Sequence, residues 1–364
     1  MYLDDWKPLL RITQVISTCF GMSANSLLIL LILFRAPQNL GVYKILMVYT
    51  SVFELFFGML ELLAVPDLRS QGNLLVVLSD PETSYLPSVL LQATTILYCG
   101  SFGLSLAIFG VQFVYRYLIF QGKVSYTKTS PRNIIFWMGS PLIFAAVWAA
   151  GCGIFLGRNQ YVDRLLITNT LPIHYHNVSI NDIGVICVYF FPKLPDGSEV
   201  INWDSWIGLL ITTVLLIAIE SLMLITGIKC YECVQELTGA AEDTQSTHFR
   251  QIQRQLFYAL VSQTFIPIIF MQLPISIMYI SIFANSSTEF FGMLQMFTIP
   301  LYLATDALPT IFIVKSFRET VFEYLNCIKC NIKITFRLPR KRNGVGTGTP
   351  ATQTMNFDRN AAIC

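Results

Sequence analysis

The chain has 364 residues, 54% hydrophobic and only 13% charged, at a mean hydropathy of +0.58; soluble globular proteins carry about 25% charged residues, which excludes an ordinary cytosolic enzyme. Twenty-four Lys and Arg against 22 Asp and Glu give a net charge of +2, which offers no general attraction to nucleic acid. Twenty-seven Phe and 16 Tyr sit in repeated apolar runs, the composition of a chain whose solvent is mostly lipid.

A helix rises about 1.5 Å per residue and the hydrocarbon core is about 30 Å thick, so a span needs roughly 20 mostly apolar residues. Seven stretches qualify, at 12–34, 43–64, 88–120, 134–156, 206–228, 256–283 and 291–314. The expected fold is an all-α membrane protein, a seven-helix bundle over 12–314 behind a short outer N-terminus, 1–11. The third stretch is longer than a crossing requires, which implies tilt or a helix that continues past the membrane surface. The run Asn73 to Leu78 (NLLVVL) is apolar but too short to span, and reads as a strand-like or interfacial piece of the first outer loop.

Positively charged loops stay in the cytoplasm. With the N-terminus outside, 18 Lys and Arg fall on the inner side and 6 on the outer, so the expected topology is N-terminus out and C-terminus in. The first apolar run follows acidic residues and is a full span in length, so it is expected to serve as its own insertion signal. Two N-glycosylation sequons, at Asn177 and Asn285, both fall outside under this topology. His174 and His176 lie in the same loop as Asn177 without an evident third ligand, so no metal is expected.

Of nine cysteines, only Cys187 lies clearly in the oxidising exterior. Its candidate partner is Cys99, but that residue is about 16 Å down the third span at 1.5 Å per residue. A disulfide therefore needs the loop to dip into the bundle or the helix to start later. Cys230, Cys233, Cys327 and Cys330 form two C-x-x-C pairs on the inner face. That spacing permits a zinc site, but thiols at helix ends beside the bilayer are the usual targets of acylation, which is favoured for Cys327 and Cys330. Phe317, Val321, Phe322 and Leu325 recur at helical spacing, so 315–330 is expected to form an amphipathic helix on the inner leaflet. The remainder, 331–364, is expected to be a disordered tail whose basic cluster, Arg337, Arg340, Lys341 and Arg342, meets anionic lipid.

Four carboxylates fall within spans, Glu54, Glu61, Glu220 and Asp306. Each costs about 2.5–3.5 kcal/mol if charged at the membrane centre, so each should face the bundle interior or water. Glu61 is near the outer surface, placed to touch an external ligand, while Glu220 and Asp306 lie in the inner half. Pro267 and Pro274 on the sixth span, and Pro300 and Pro309 on the seventh, create weak points about which a helix end swings. No metalloprotease motif, Walker loop or nucleophile elbow is present, and three histidines leave almost no acid-base machinery in the membrane. Neither an enzyme nor a cofactor is expected.

The runs LGVYKILM at 40–47, YCGSFGLSL at 98–106, QFVYRY at 112–117, QRQLFYALVSQTFIP at 253–267 and PTIFIVKSFR at 309–318 resemble the nematode seven-transmembrane chemoreceptors of the Str superfamily. The resemblance runs from about residue 12 to residue 325. It implies an odorant-receptor-like G-protein-coupled receptor at the plasma membrane of a sensory cilium, binding a small environmental molecule and activating a heterotrimeric G protein. Arg116, between Tyr115 and Tyr117, sits where rhodopsin-like receptors carry an acidic-Arg-Tyr triplet; here Tyr replaces the acid. Asn25 is similar to the polar anchor of that class, and Asp306 with Pro309 is a loose echo of its seventh-span motif.

Ligand contacts are expected at Glu61, Gln92, Tyr98 and Gln272, and coupling or switching at Tyr115, Arg116, Tyr117, Arg250, Arg254, Pro267 and Pro274. The partners are a small-molecule ligand, a heterotrimeric G protein and membrane lipids, with a second receptor copy left open and no nucleic acid. A ligand-gated cation channel or a small-molecule transporter are the alternatives; the channel is opposed by the charge count and the transporter by the lack of internal repeats.

Overall fold

Lipid offers a backbone no hydrogen-bond partners, so a spanning segment must satisfy its own amides within a helix. The computed structural model, which describes residues 6–36, 40–167, 179–194, 196–239 and 244–335, follows that requirement. Among the described residues, seven helices are long and apolar enough to cross a membrane. They are α1 (Lys7–Arg35), α2 (Val42–Ala64), α3 (Ser88–Phe120), α4 (Pro131–Phe155), α5 (Trp203–Gly239), and two broken helices, α6 and α7. All seven expected spans are found. α1 starts more than a turn early, and α5 continues about three turns past residue 228.

The breaks in α6 and α7 follow from proline. α6 runs as Thr244–Pro267, a π-helical turn at Ile268–Gln272, and Leu273–Phe283, so that Pro267 and Pro274 flank the irregular turn. A ring without an N–H that also clashes with the preceding turn cannot continue the regular ladder. α7 runs as Glu289–Thr305 and Leu308–Ile313, with Pro309 in the first turn of the second piece and Asp306 at the break. α8 (Lys315–Thr335) follows, carrying the expected amphipathic pattern slightly beyond residue 330. The tail beyond residue 335 lies outside the described residues.

One end of the bundle is closed by a three-stranded antiparallel sheet, β1 (Asp67–Gln71), β2 (Leu74–Ser79) and β3 (Gly184–Tyr189), in the order β1-β2-β3. The apolar run at 73–78 is thus a strand. Alternate residues face opposite ways along a strand. Leu75, Val77, Ile186 and Val188 face the bundle, whereas Val76, Leu78, Val185 and Cys187 pack under Val162 and Leu166. With both faces covered, strands read as continuous apolar runs rather than alternating ones.

β3 docks against α3 at Gly184, where an added Cβ would lie 2.4 Å from the Leu91 carbonyl oxygen. The Gln92 side chain completes the contact, accepting from Val185 N at 2.9 Å and donating to Val185 O at 3.0 Å. A Gly184→Val variant is therefore expected to lose about 1–3 kcal/mol through overpacking. The check is thermal unfolding in lipid nanodiscs: a clear fall in midpoint is expected, and an unchanged midpoint contradicts this docking.

Candidate functional site

Beneath the sheet lies a cavity of about 300 Å³, at the lower end of the range for small-molecule sites, roughly 300–1,000 Å³. Its roof is Leu68, Leu75, Val77, Ile186 and Val188. Its walls are Phe57 from α2, Tyr98, Cys99 and Phe102 from α3, Trp148 and Cys152 from α4, Thr212 from α5, Met271, Ile275 and Tyr279 from α6, and Gln295 and Ile299 from α7. Trp148 lies flat against Phe102, ring centroids 5.7 Å apart, because Gly103 leaves room for the indole. The lining is mostly apolar and aromatic, with Thr212, Tyr279 and Gln295 among its polar side chains. Gln295 Oε1 is buried without a hydrogen-bond partner among the described residues, whereas the Tyr98 hydroxyl lies beside the Glu61 carboxyl. Buried polar atoms are normally paired, so an unpaired donor or acceptor in a cavity is suited to a ligand group.

Of the four expected ligand residues, only Tyr98 lines this cavity. Gln92 is occupied by the β3 backbone and acts as a strand-docking residue. Glu61 is tied to α1, accepting from Gln14 Nε2 at 2.8 Å, while Gln14 accepts from Arg11 at 2.7 Å. Gln272 turns out of the π-helical turn into a different groove, between α5 and α6. Trp148, Cys152 and Gln295, and the sheet roof, were not legible in the sequence as cavity-lining residues. Gln295 is a polar residue in an otherwise apolar half-span, the signal by which it could have been found.

Cys99 and Cys187, the candidate disulfide, are separate free thiols. Cys187 is cross-strand from Val76 on the face of the sheet turned away from the bundle, and Cys99 lies among the cavity walls. Burial pushes the Cys187 thiol up, so it stays protonated and unreactive. Asn285 is exposed in the α6–α7 loop at the sheet end, while Ser287 of its sequon pairs with Gly72. Asn177 and the side chains of Cys327 and Cys330 lie outside the described residues.

Below the cavity floor the bundle is held by buried polar contacts. Phe57 packs on Tyr98 and on Tyr302, at centroid distances of 5.4 and 6.3 Å. The Tyr302 hydroxyl donates to the Glu54 carboxyl and lies 2.8 Å from Ser105 Oγ, joining α7, α2 and α3. Gln112 donates to Thr50 at 2.7 Å and accepts from Tyr43 at 3.3 Å. At the break in α7, Gln263 of α6 donates to the Asp306 carbonyl at 3.0 Å.

At the end opposite the sheet, Arg116 is completely buried. Its guanidinium carbon lies 3.9 Å from the centre of the Tyr43 ring, and Nη1 donates to Gln253 Oε1 of α6 at 3.1 Å. Nε and Nη2 have no partner among the described residues. Tyr115 packs edge-on against Trp137 and donates to the Thr127 carbonyl at 3.2 Å, anchoring the α3–α4 connection. Tyr117 turns toward α5, where Lys229 sits 5.4 Å over its ring. Arg254 is exposed over Tyr258, and the side chain of Arg250 lies outside the described residues. The structure thus brings Tyr115, Arg116, Tyr117 and Arg254 to one end of the bundle, with Pro267 between that end and the cavity and Pro274 level with the cavity's α6 wall.

A cavity at one end of seven helices and a buried arginine at the other give the architecture of a seven-transmembrane bundle. Squid rhodopsin has the same fold, with a TM-score of 0.59 at 10% identity over 90% of this chain and 87% of that one. The family described as the serpentine type 7TM GPCR chemoreceptor Str matches residues 10–322. The chain belongs to that family of G-protein-coupled chemoreceptors and is a multi-pass membrane protein. The G-protein coupled receptor str-217 of Caenorhabditis elegans is 30% identical over 325 residues, 89% of this chain and 90% of that one. Serpentine receptor class r-10 proteins of Caenorhabditis briggsae and Caenorhabditis elegans are each 26% identical, over 89% and 90% of this chain and 92% and 93% of theirs.

Tyr302→Phe removes both hydroxyl contacts and leaves the Glu54 carboxyl without its donor. The expected cost is about 1–3 kcal/mol for a buried group left unsatisfied. This should appear as a fall of a few degrees in the unfolding midpoint in nanodiscs; an unchanged midpoint contradicts a structural role for the contact.

Proposed function

We propose that this receptor binds a small, mostly apolar environmental molecule in the cavity beneath the sheet and activates a heterotrimeric G protein from the Arg116 end. The sheet end faces outside and the Arg116 end faces the cytoplasm, at the plasma membrane of a sensory cilium. The observation that carries the reading is the largely apolar cavity holding a buried, unpaired acceptor, Gln295 Oε1. A ligand that fills the cavity and offers one donor to Gln295 satisfies both size and chemistry. Met271 lines the cavity from the π-helical turn of α6, so a ligand in contact with it favours one setting of that turn over another. A ligand shifts such an equilibrium only by its differential affinity for the two states.

The inner half of α6 then swings outward and releases Gln253 from Arg116. That frees the guanidinium for acceptors on the G protein, with Arg254 and the 123–132 connection around it. A channel or transporter is not favoured by family or fold.

Cells expressing the receptor should give an inhibitor-sensitive calcium or cAMP response to members of a panel of volatile and water-soluble small molecules. Gln295→Leu should weaken responses to ligands with a hydrogen-bond donor by about tenfold, the worth of a buried hydrogen bond, and spare purely apolar ones. Responses that survive G-protein inhibition overturn the reading.

Gln253→Ala removes the one side chain that hydrogen-bonds Arg116 among the described residues, leaving the longer contact to the Gln253 carbonyl at 3.4 Å. A hydrogen bond to a charged group is worth about 1.5–3 kcal/mol, so agonist-independent signalling should rise several-fold. Arg116→Ala should abolish nucleotide exchange while leaving ligand binding. Intact ligand-driven exchange in Arg116→Ala, measured with purified receptor and G protein, contradicts the role given to it.

A further inference from the structure

α5 packs chiefly on α3 and α4 and touches α6 at few points. The gap forms a groove of about 650 Å³ beside the π-helical turn of α6. It shares no lining residue with the cavity beneath the sheet. The turn divides the two, with Met271 facing the cavity and Gln272 facing the groove. Leu224 and Phe265 form the groove's rim and are more than half exposed on the lipid-facing surface, so access is from the bilayer rather than from water.

Gln272 and Glu220 stand among the polar side chains of this largely apolar groove, which also include Thr264, Tyr231 and Tyr258. Gln272 is only 5% exposed, yet its Nε2 has no hydrogen-bond partner among the described residues. Glu220 is half-buried on α5, and no described Lys, Arg or donor pairs with its carboxylate. The nearest basic residue along α5, Lys229, lies over Tyr117. An acid within a span needs a counter-charge or a hydrogen-bond donor, and a buried amide N–H needs an acceptor. Phe257 and Phe265 supply aromatic wall for an alkyl chain. Gly227 keeps that wall open, since a side chain there would press on Phe113.

We propose that the groove between α5 and α6 is a second binding site, entered from the membrane, for a lipophilic amino alcohol. The ligand's ammonium pairs with Glu220, its hydroxyl oxygen accepts from Gln272 Nε2, and its chain lies along the aromatic wall. Occupancy of the groove does not require a cavity ligand or a G protein, and its α6 wall is the inner half of the helix that the proposed switch moves.

The test uses the full receptor in phosphatidylcholine nanodiscs without G protein. The probe is a photoreactive sphingosine, a long-chain amino alcohol, competed by unlabelled sphingosine or by N-acetylsphingosine, which has lost the cation. Crosslinks are expected on the facing segments of α5 and α6. N-acetylsphingosine should compete about tenfold less well or worse, as expected for loss of a charge-assisted hydrogen bond. Glu220→Gln and Gln272→Leu should each weaken labelling of the groove, and the acetylated competitor keeps the test decisive if either variant fails to fold. Equal competition by the two compounds, crosslinks that map elsewhere, or labelling no greater than that of an unrelated membrane protein overturns the proposal.

Discussion

A guanidinium buried inside a helix bundle has to be held, because in lipid it has no water to fall back on. In this protein the holding groups are neutral: the face of Tyr43 and the amide of Gln253. An adjacent carboxylate would bind Arg116 more tightly and to its own helix. Tyr115 at that position instead leaves the cation to reach across to α2 and α6. The contact is therefore an interhelical clamp of modest strength, with Nε and Nη2 unspent among the described residues. Under the proposed mechanism, such a clamp sets a resting arrangement that a small ligand releases.

The same rule orders the rest of the interior. Glu54, Glu61 and Asp306, each costly in a membrane, all lie buried and meet a residue from another helix: Tyr302, Gln14 and Gln263, the last bonding chiefly the Asp306 carbonyl and reaching its carboxyl only at 3.5 Å. The last of these contacts falls where α6 and α7 are irregular, since Asp306 sits at the break in α7 and Gln263 precedes Pro267 by about a turn. The cavity and the clamp are thus joined by packed aromatic and polar contacts that include two helices built with discontinuities. Contiguity of this sort supplies a route for coupling without proving that energy flows along it.

Much of the architecture was legible in the sequence because bilayer thickness fixes helix length. The seven spans, the overlong α3, the strand at 73–78 and the proline sites follow from composition and spacing alone. Other features depend on what lies across the bundle. β3 was hidden because GVICVY is as apolar as a span fragment, and its partner, β2, is about a hundred residues away in the chain. Gln92, Glu61 and Gln272 were read as ligand contacts by type and depth. Which way each points depends on helix rotation, and they turned out to serve a strand, a neighbouring helix and a separate groove. Trp148 and Gln295 were missed for the same reason. Arg116 was found because its flanking tyrosines and its position at the end of α3 mark it in the sequence, but its partner Gln253 was invisible until α6 was placed.

The central claim is that filling the cavity beneath the sheet opens the clamp at the other end. The most direct measurement places spin labels at the exposed positions Lys123 and Arg254 and records their distance distribution in nanodiscs, with and without an agonist from the small-molecule panel. The account predicts a longer-distance population that grows with agonist and grows further with nucleotide-free G protein. An unchanged distribution under conditions in which the same agonist drives nucleotide exchange would contradict it.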